Sequence, residues 1–388
     1  MPHHERMDLQ KHQGLNPMKI VLIILALLLV IATALPLLRF DQWWIRVFDF
    51  PRGQIAIAGL ILLVLYLYFW EMHRVYDAVV LVLLVLAVGY QVVKIFPYTV
   101  LMPREVKATE SPSDNDNLSL LAANVLMENR ESEAFLAVVR KYDPDLILTV
   151  ETDEWWEEAL RPLEETYPYT LKKPLDNTYG MLVYSRLEMI NPEIRFILKD
   201  GIPSMHMQVV LPSDDRVFLH FIHPDPPNPS YATETTERDA ELLIVGREVE
   251  KLDRPTIVAG DFNDVAWSHT TTLFQKTSGL LDPRVGRGMY NTFHATNPLL
   301  RWPLDHVFHS DHFKLVHMER GPAWGSDHFP VFIELSLDSG AEAEQPAPDT
   351  SQEEGDRVDE KIEDGKQHEA SQDQSTLICA YANAQIIP

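Results

Sequence analysis

Gly325-Ser326-Asp327-His328-Phe329-Pro330 runs directly into the strand-like Val331-Phe332-Ile333-Glu334-Leu335. A Gly-Ser turn places a carboxylate and an imidazole side by side at the mouth of a strand. The carboxylate suits a hard cation, and the imidazole can carry a proton. A lone Asp-His pair is an ordinary solvated turn, so its meaning depends on partners elsewhere in the chain.

Working outward, polar residues recur where other apolar runs end. Asn124 follows Leu120-Leu121-Ala122-Ala123, and Glu151 follows Leu146-Ile147-Leu148-Thr149-Val150. His223 follows Phe218-Leu219-His220-Phe221-Ile222, and Asp261 and Asn263 follow Ile257-Val258-Ala259-Gly260. Asp305 lies in Pro303-Leu304-Asp305-His306. Each alone reads as a solvated strand end. Together they form a set of oxygen, amide and imidazole groups that a sheet scaffold can gather. The runs at 205–211 and 217–222 read as a hairpin across Ser213-Asp214-Asp215-Arg216, and 131–140 and 234–252 read as helices. Strands outnumber helices, which predicts two sheets flanked by helices over residues 118–337 rather than one parallel sheet.

This set resembles the endonuclease/exonuclease/phosphatase (DNase I-like) superfamily. The matching pieces are Asn124, Leu148-Thr149-Val150-Glu151, Gly180-Met181-Leu182-Val183-Tyr184-Ser185-Arg186, His223-Pro224-Asp225-Pro226-Pro227, Gly260-Asp261-Phe262-Asn263-Asp264, Leu304-Asp305-His306 and the opening Gly325–Pro330 stretch. They occur in the family's order. The resemblance implies an α/β four-layer sandwich and a phosphoester hydrolase using Mg2+, with Mn2+ as a substitute. It implies that Glu151 binds the metal with Asp327 contributing. Asn124 would orient metal-bound groups or the phosphate, and Asp305 would fix the His328 tautomer. His223 would contact the scissile phosphate, Asp261 would orient or deprotonate water, and Asn263 would stabilise phosphate oxygens. Either Asp261 or His328 could serve as the base. A zinc site in the tract His306, His309, His312 and His317 is the rival, but no thiolate or HExxH ligand set accompanies it. In the loop 292–303, Phe293, Arg301 and Trp302 can stack on a base or headgroup and pair with phosphate, or pack the loop itself.

Outside this domain the chain changes character twice. Residues 1–18 form a polar tail, and three apolar segments follow at 19–38, 54–70 and 78–96. Each approaches the length that crosses a hydrocarbon core of ~30 Å at ~1.5 Å per residue, predicting an anchor (19–98) of three transmembrane helices. Apart from Lys19 and Lys94 near segment ends, no acidic or basic residue interrupts them, which argues against a transporter or proton path. Loop charges favour a cytoplasmic domain, whereas the basic N-terminal tail favours an extracytoplasmic one. The reading adopted is a bacterial inner-membrane protein with an extracytoplasmic hydrolase domain. Residues 99–117 read as a polar linker. Residues 338–388 read as an acidic disordered tail, because its first part carries thirteen Asp/Glu against Arg357, Lys361 and Lys366 and few large apolar side chains.

The net charge is -24, from 33 basic and 57 acidic residues, which disfavours extended binding to duplex nucleic acid. The single cysteine excludes an intrachain disulfide. The expected partners are the lipid bilayer and a phosphoester substrate: a nucleic acid, a nucleotide or a phospholipid headgroup. No protein partner is legible. The alternative is a non-catalytic membrane scaffold that keeps the fold for binding.

Overall fold

The structure, a computed structural model, describes residues 16–70, 75–226 and 233–384, the side chains of 372–384 excepted. The polar tail up to residue 15 and Pro227 lie outside the described residues. The chain divides into two compact units. One takes in residues up to Phe40 together with Pro51–Ile95; the other takes in Asp41–Phe50 together with the chain from Phe96 onward.

The first unit holds three apolar helices, α1 (Pro17–Ala34), α3 (Arg52–Tyr68) and α4 (Val75–Ile95), separated in sequence by the short α2 (Trp43–Arg46) of the other unit. Pro17–Leu38 and Val75–Tyr98 are long and apolar enough to cross a membrane; the count rises to three if Trp43–Asp49 and Arg52–Tyr68, bent by 70°, form one span. Small and aliphatic side chains meet at their centre, including Ala26, Leu62 and Leu84. Polar groups pair at two places: Lys19 and Tyr66 both reach Asp77, and Arg52 donates to Gln91, which donates to Thr33. Pairing of this kind is what buried polar groups need where lipid offers no hydrogen bonds.

The second unit is a sandwich of two sheets with helices on its outer faces. Its elements are β1 (Asn117–Asn124), α5 (Ser132–Tyr142), β2 (Leu146–Val150), α6 (Glu154–Ala159), β3 (Tyr169–Lys173), β4 (Met181–Ser185), β5 (Met189–Arg195), β6 (Ser204–Val210) and β7 (Arg216–Phe221). There follow α7 (Thr236–Glu250), β8 (Thr256–Asp261), α8 (His269–Ser278), β9 (Asp305–His309), β10 (Phe313–Arg320), β11 (Val331–Leu337), α9 (Ala341–Glu344) and α10 (Gln352–Ala384). One sheet has the order β10-β11-β1-β2-β4-β3 and the other β5-β6-β7-β8-β9. Strand periodicity assigns the faces. Leu118, Leu120 and Ala122 of β1 meet Ile257 and Ala259 of β8 in the core between the sheets. Leu121 and Ala123 point outward against Phe135 and Val139 of α5, and Val258 packs under Leu242 and Phe274 of α7 and α8. This is the expected four-layer α/β sandwich.

Two expectations about the domain's edges are corrected. Residues 99–117 are no free linker: Val106 is fully buried, Thr109 N–H donates to Leu315, and Glu105 accepts from Gln275 and from the backbone of Asp282. Over its described residues the acidic segment is helical, not disordered, and residues 385–388 lie outside the described residues. Its helix α10 lies along α7, with Val358 and Ile362 against the α7–α8 core and Gly365 so close to Ala240 that a Cβ would fall 2.2 Å from it. Arg247 pairs with Asp359 and Lys276 with Glu354. Composition hid this, because a stripe of two large apolar side chains one turn apart suffices when basic residues of the domain meet the acidic faces.

On the outer face of the second sheet, His206 and His220 are a cross-strand pair with Nδ1 atoms 2.7 Å apart. Burial holds their pKa values down to about 3 and about 4. As pH falls below ~6.5 the unfolded chain binds these protons first, so stability present above that pH is lost, by about 1.4 kcal/mol per ring per pH unit, until the folded rings titrate. The unfolding midpoint should therefore fall between pH 7 and pH 5, and a His206→Gln/His220→Gln variant should show a shallower slope. An unchanged slope would contradict this account.

Candidate active site

Four of the strands that lead to the predicted residues run in parallel pairs. β1 pairs with β2 in parallel, and β7 with β8 in parallel, so four carboxyl ends open on one rim. Crevices at strand carboxyl ends are where open α/β sheets gather ligands. There the inward-facing positions change from apolar to polar. Asn124 ends the face of Leu120 and Ala122, and Asp261 ends the face of Ile257 and Ala259. β9 runs antiparallel to β8 and places Asp305 directly opposite Asp261.

Close backbone packing holds the rim. Gly260 has φ +145°, and a Cβ there would lie 1.9 Å from the Ile222 carbonyl oxygen. At Gly180 a Cβ would lie 1.8 Å from the Thr152 carbonyl oxygen, beside Glu151. Glu151 and Asn263 themselves sit in left-handed backbone at φ 60° and 51°, a conformation that costs energy and recurs at functional sites.

Asn124 is the hub. Its Nδ2 donates to Glu151 Oε1 at 2.7 Å and to Asp261 Oδ2 at 3.0 Å, and its Oδ1 accepts from Leu126 N–H. His328 bridges the two facing carboxylates: Nδ1 lies 2.7 Å from Asp305 Oδ2, and Nε2 lies 3.7 Å from Asp261 Oδ2. Burial disfavours the charged ring, but Asp305 and Asp261 outweigh it and raise its pKa to about 10. Burial pushes Glu151 up to about 7, against the hydrogen bond from Asn124. His223 is buried beside the Tyr179 ring, its pKa lowered by burial, and among the described residues its Nδ1 has no hydrogen-bond partner. Asn263 Nδ2 donates to the Pro224 carbonyl, and Asn263 N–H to Asp261 Oδ1.

Asn124, Glu151, His223, Asp261, Asn263, Asp305 and His328 are thus brought together. Potential ligand atoms of Glu151, His223 and Asp261 lie within 4.8 Å of one another. Asp327 is not in that group; it acts on Glu151 and His328 through its charge. A hard-oxygen pair, one half-buried and one buried, with the Glu151 carboxyl raised by burial, fits a divalent cation. The rival zinc tract is dispersed: His306 meets Arg284 and the Asp264 carbonyl, and His309 meets Ser310. Among the described residues, no candidate ligand group contains two of its four histidines.

The loop 292–303 folds back on the site. Phe293 bridges to His328 and packs on its ring at 5.0 Å, and Trp302 stacks on Phe293 at 6.0 Å. Arg301 spends its Nε and Nη2 on the carbonyls of His294 and Ala295 and lies over Phe329. Residues that strand-end reading passed over do much of the positioning. Thr292 Oγ1 accepts from the N–H groups of Leu304 and Asp305. Ser326 donates to the Asn124 carbonyl and accepts from His328 N–H. Ser326 was within the quoted motif; Thr292 carries no sequence signal of its own.

The two-sheet fold and this rim define a phosphoesterase-type α/β sandwich. The profile of the Endonuclease/Exonuclease/phosphatase family matches residues 121–328, more than half of the chain. The chain belongs to that family, which includes metal-dependent phosphoesterases such as nucleases and phosphatases. Among solved structures, it is similar to D. rerio TDP2 complexed with single strand DNA product: 17% identity, TM-score 0.48, covering 57% of this chain and 99% of that one. It is also similar to an endonuclease/exonuclease/phosphatase from Bacteroides vulgatus (16%, TM-score 0.47, 57% and 99%). The human Nocturnin catalytic domain with bound sulfate is a third (16%, TM-score 0.46, 59% and 97%). No curated protein matches.

Proposed function

We propose that the protein is a membrane-tethered, metal-dependent hydrolase of phosphoesters, with phosphodiesters as the favoured class. The observation that carries this reading is the line Asp305–His328–Asp261, joined through Asn124 to Glu151. Glu151 and Asp261, with His223 nearby, would hold the cation, Mg2+ or Mn2+. When bound, such an ion neutralises charge that develops on phosphoryl oxygens. His328, kept as an imidazolium by its two carboxylates, is a hydrogen-bond donor to the phosphoryl group rather than a base. Asp261 is then the group placed to take the proton of the attacking water. Asn263 keeps a second amide hydrogen for a phosphoryl oxygen while its first holds the Pro224 carbonyl. Phe293, at the lip of the site, is placed to meet the substrate's leaving portion.

The tether rests on the apolar helices. Pro17–Leu38 and Val75–Tyr98 are each long and apolar enough to cross a bilayer. The side adopted is extracytoplasmic, in a bacterial inner membrane. The acidic chain favours a nucleotide, a short single strand or a phospholipid headgroup over long duplex DNA.

The test uses the full chain in detergent. Bis-p-nitrophenyl phosphate should be hydrolysed with Mg2+ or Mn2+ and spared with EDTA. A panel of plasmid DNA, single strands, nucleotides and sphingomyelin then assigns the class. No hydrolysis of any member with any cation would favour the non-catalytic scaffold instead.

A further inference from the structure

We propose that residues 41–50, the segment between the first two apolar helices, are a positioning element of the hydrolytic site. This rests on the reading of Asn263 and His328 as groups that touch the substrate. The segment is ten residues long, yet it belongs to the sandwich and not to the helical unit. It is stitched on by backbone: Trp43 N–H donates to Thr233, Thr235 N–H donates to Asp41, and Gln42 bridges to Glu234. Ile45, Arg46 and Asp49 are all buried.

Two separate routes lead from it to the site. The first is ionic. Arg46 donates to Thr270 Oγ1 at 3.1 Å and lies 3.4 Å from Asp49 and 4.0 Å from Asp239. Asp239 has no exposed surface and is shared by Arg46, Thr270, Lys361 of α10 and Arg238. Arg238 in turn donates Nη1 to the carbonyl of Asn263 at 2.9 Å and faces Asp264. The left-handed backbone of Asn263 is therefore held by a guanidinium whose other side is balanced by Asp239. A buried carboxylate that loses a cation draws on the remaining ones, and here one of the two that remain, beside Lys361, is Arg238, the clamp on Asn263.

The second route is aromatic. Phe50 packs edge-on against Trp302 at 5.7 Å and 89°. Trp302 stacks on Phe293, and Phe293 packs on His328. Trp267 adds a further tie, donating Nε1–H to the Asp49 carbonyl at 2.7 Å, three residues beyond Asp264. One loop thus bears on both groups through independent contacts. Neither route is a feature of the sandwich alone, because a chain cut at the last apolar helix lacks both Arg46 and Phe50.

The experiment compares the full chain with Arg46→Met, Arg46→Lys and Phe50→Ala, by hydrogen exchange and by kcat and KM on bis-p-nitrophenyl phosphate. Arg46→Met should speed exchange in 260–268, and Phe50→Ala in 292–303. Each should lower kcat about tenfold or more with KM changed less, as expected when reacting groups shift by a fraction of an ångström. Arg46→Lys should recover part of both effects. Exchange unchanged in these windows, or raised evenly over the sandwich, would overturn the proposal. If the wild type hydrolyses nothing, the functional reading fails by itself, while the exchange pattern still decides whether the segment holds these two loops.

Discussion

Asp261→Asn should lower kcat by about 10^3-fold while the protein stays folded. The amide has the carboxylate's shape but cannot accept a proton from water, and because it is also a weaker cation ligand the comparison is made at saturating Mn2+. It also sets a second amide against Asn124, whose Nδ2 now donates to Asp261 Oδ2 at 3.0 Å. His328 loses one of the three carboxylates that raise its pKa, so its titration should move down from about 10. Steady-state kinetics, with the unfolding midpoint as a control and NMR of the ring, measure all three. Activity within tenfold of wild type would remove Asp261 from the proton-transfer role and return that role to His328.

Glu151→Gln should weaken Mn2+ binding at least about 100-fold, as read by calorimetry. The wild-type affinity should also depend on pH in a particular direction. Glu151 titrates at about 7 because burial disfavours its charge. Above that pH the carboxylate is free to take a cation. Below it the cation must displace a proton, so the affinity should drop as pH falls, approaching tenfold per unit. The Gln variant has no such proton and should lose that component of the slope. Equal affinity and equal slope in the two proteins would show that Glu151 is not a ligand.

Much of this site is readable because strand chemistry is local. An inward-facing polar residue at a strand's carboxyl end can be found from alternation alone, and Asn124 and Asp261 were found so. What alternation lacks is distance. It cannot say that Asn124 links Glu151 to Asp261, or that Asp327 stays outside the group formed by Glu151, His223 and Asp261. Nor can it separate substrate contacts from scaffolding, and Arg301 illustrates this: its hydrogen bonds hold its own loop. Charge counting in the loops misjudges Arg46 in the same way, since a buried, paired guanidinium is not a loop charge facing headgroups.

The sequence by itself determined the two-sheet sandwich, the order of its motifs and the identity of the residues on its rim. These follow from periodicity, turn chemistry and the oxygen and imidazole groups that phosphoester chemistry needs. Only the tertiary structure decided where the sandwich unit ends. Arg46 and Thr270 are 224 residues apart along the chain, and Lys361 meets Asp239 from a tail that composition marks as unfolded. Such contacts arise from the fit of whole elements, from a stripe of Val358 and Ile362 on α7 or an aromatic edge on Trp302, and no local window of sequence records that fit.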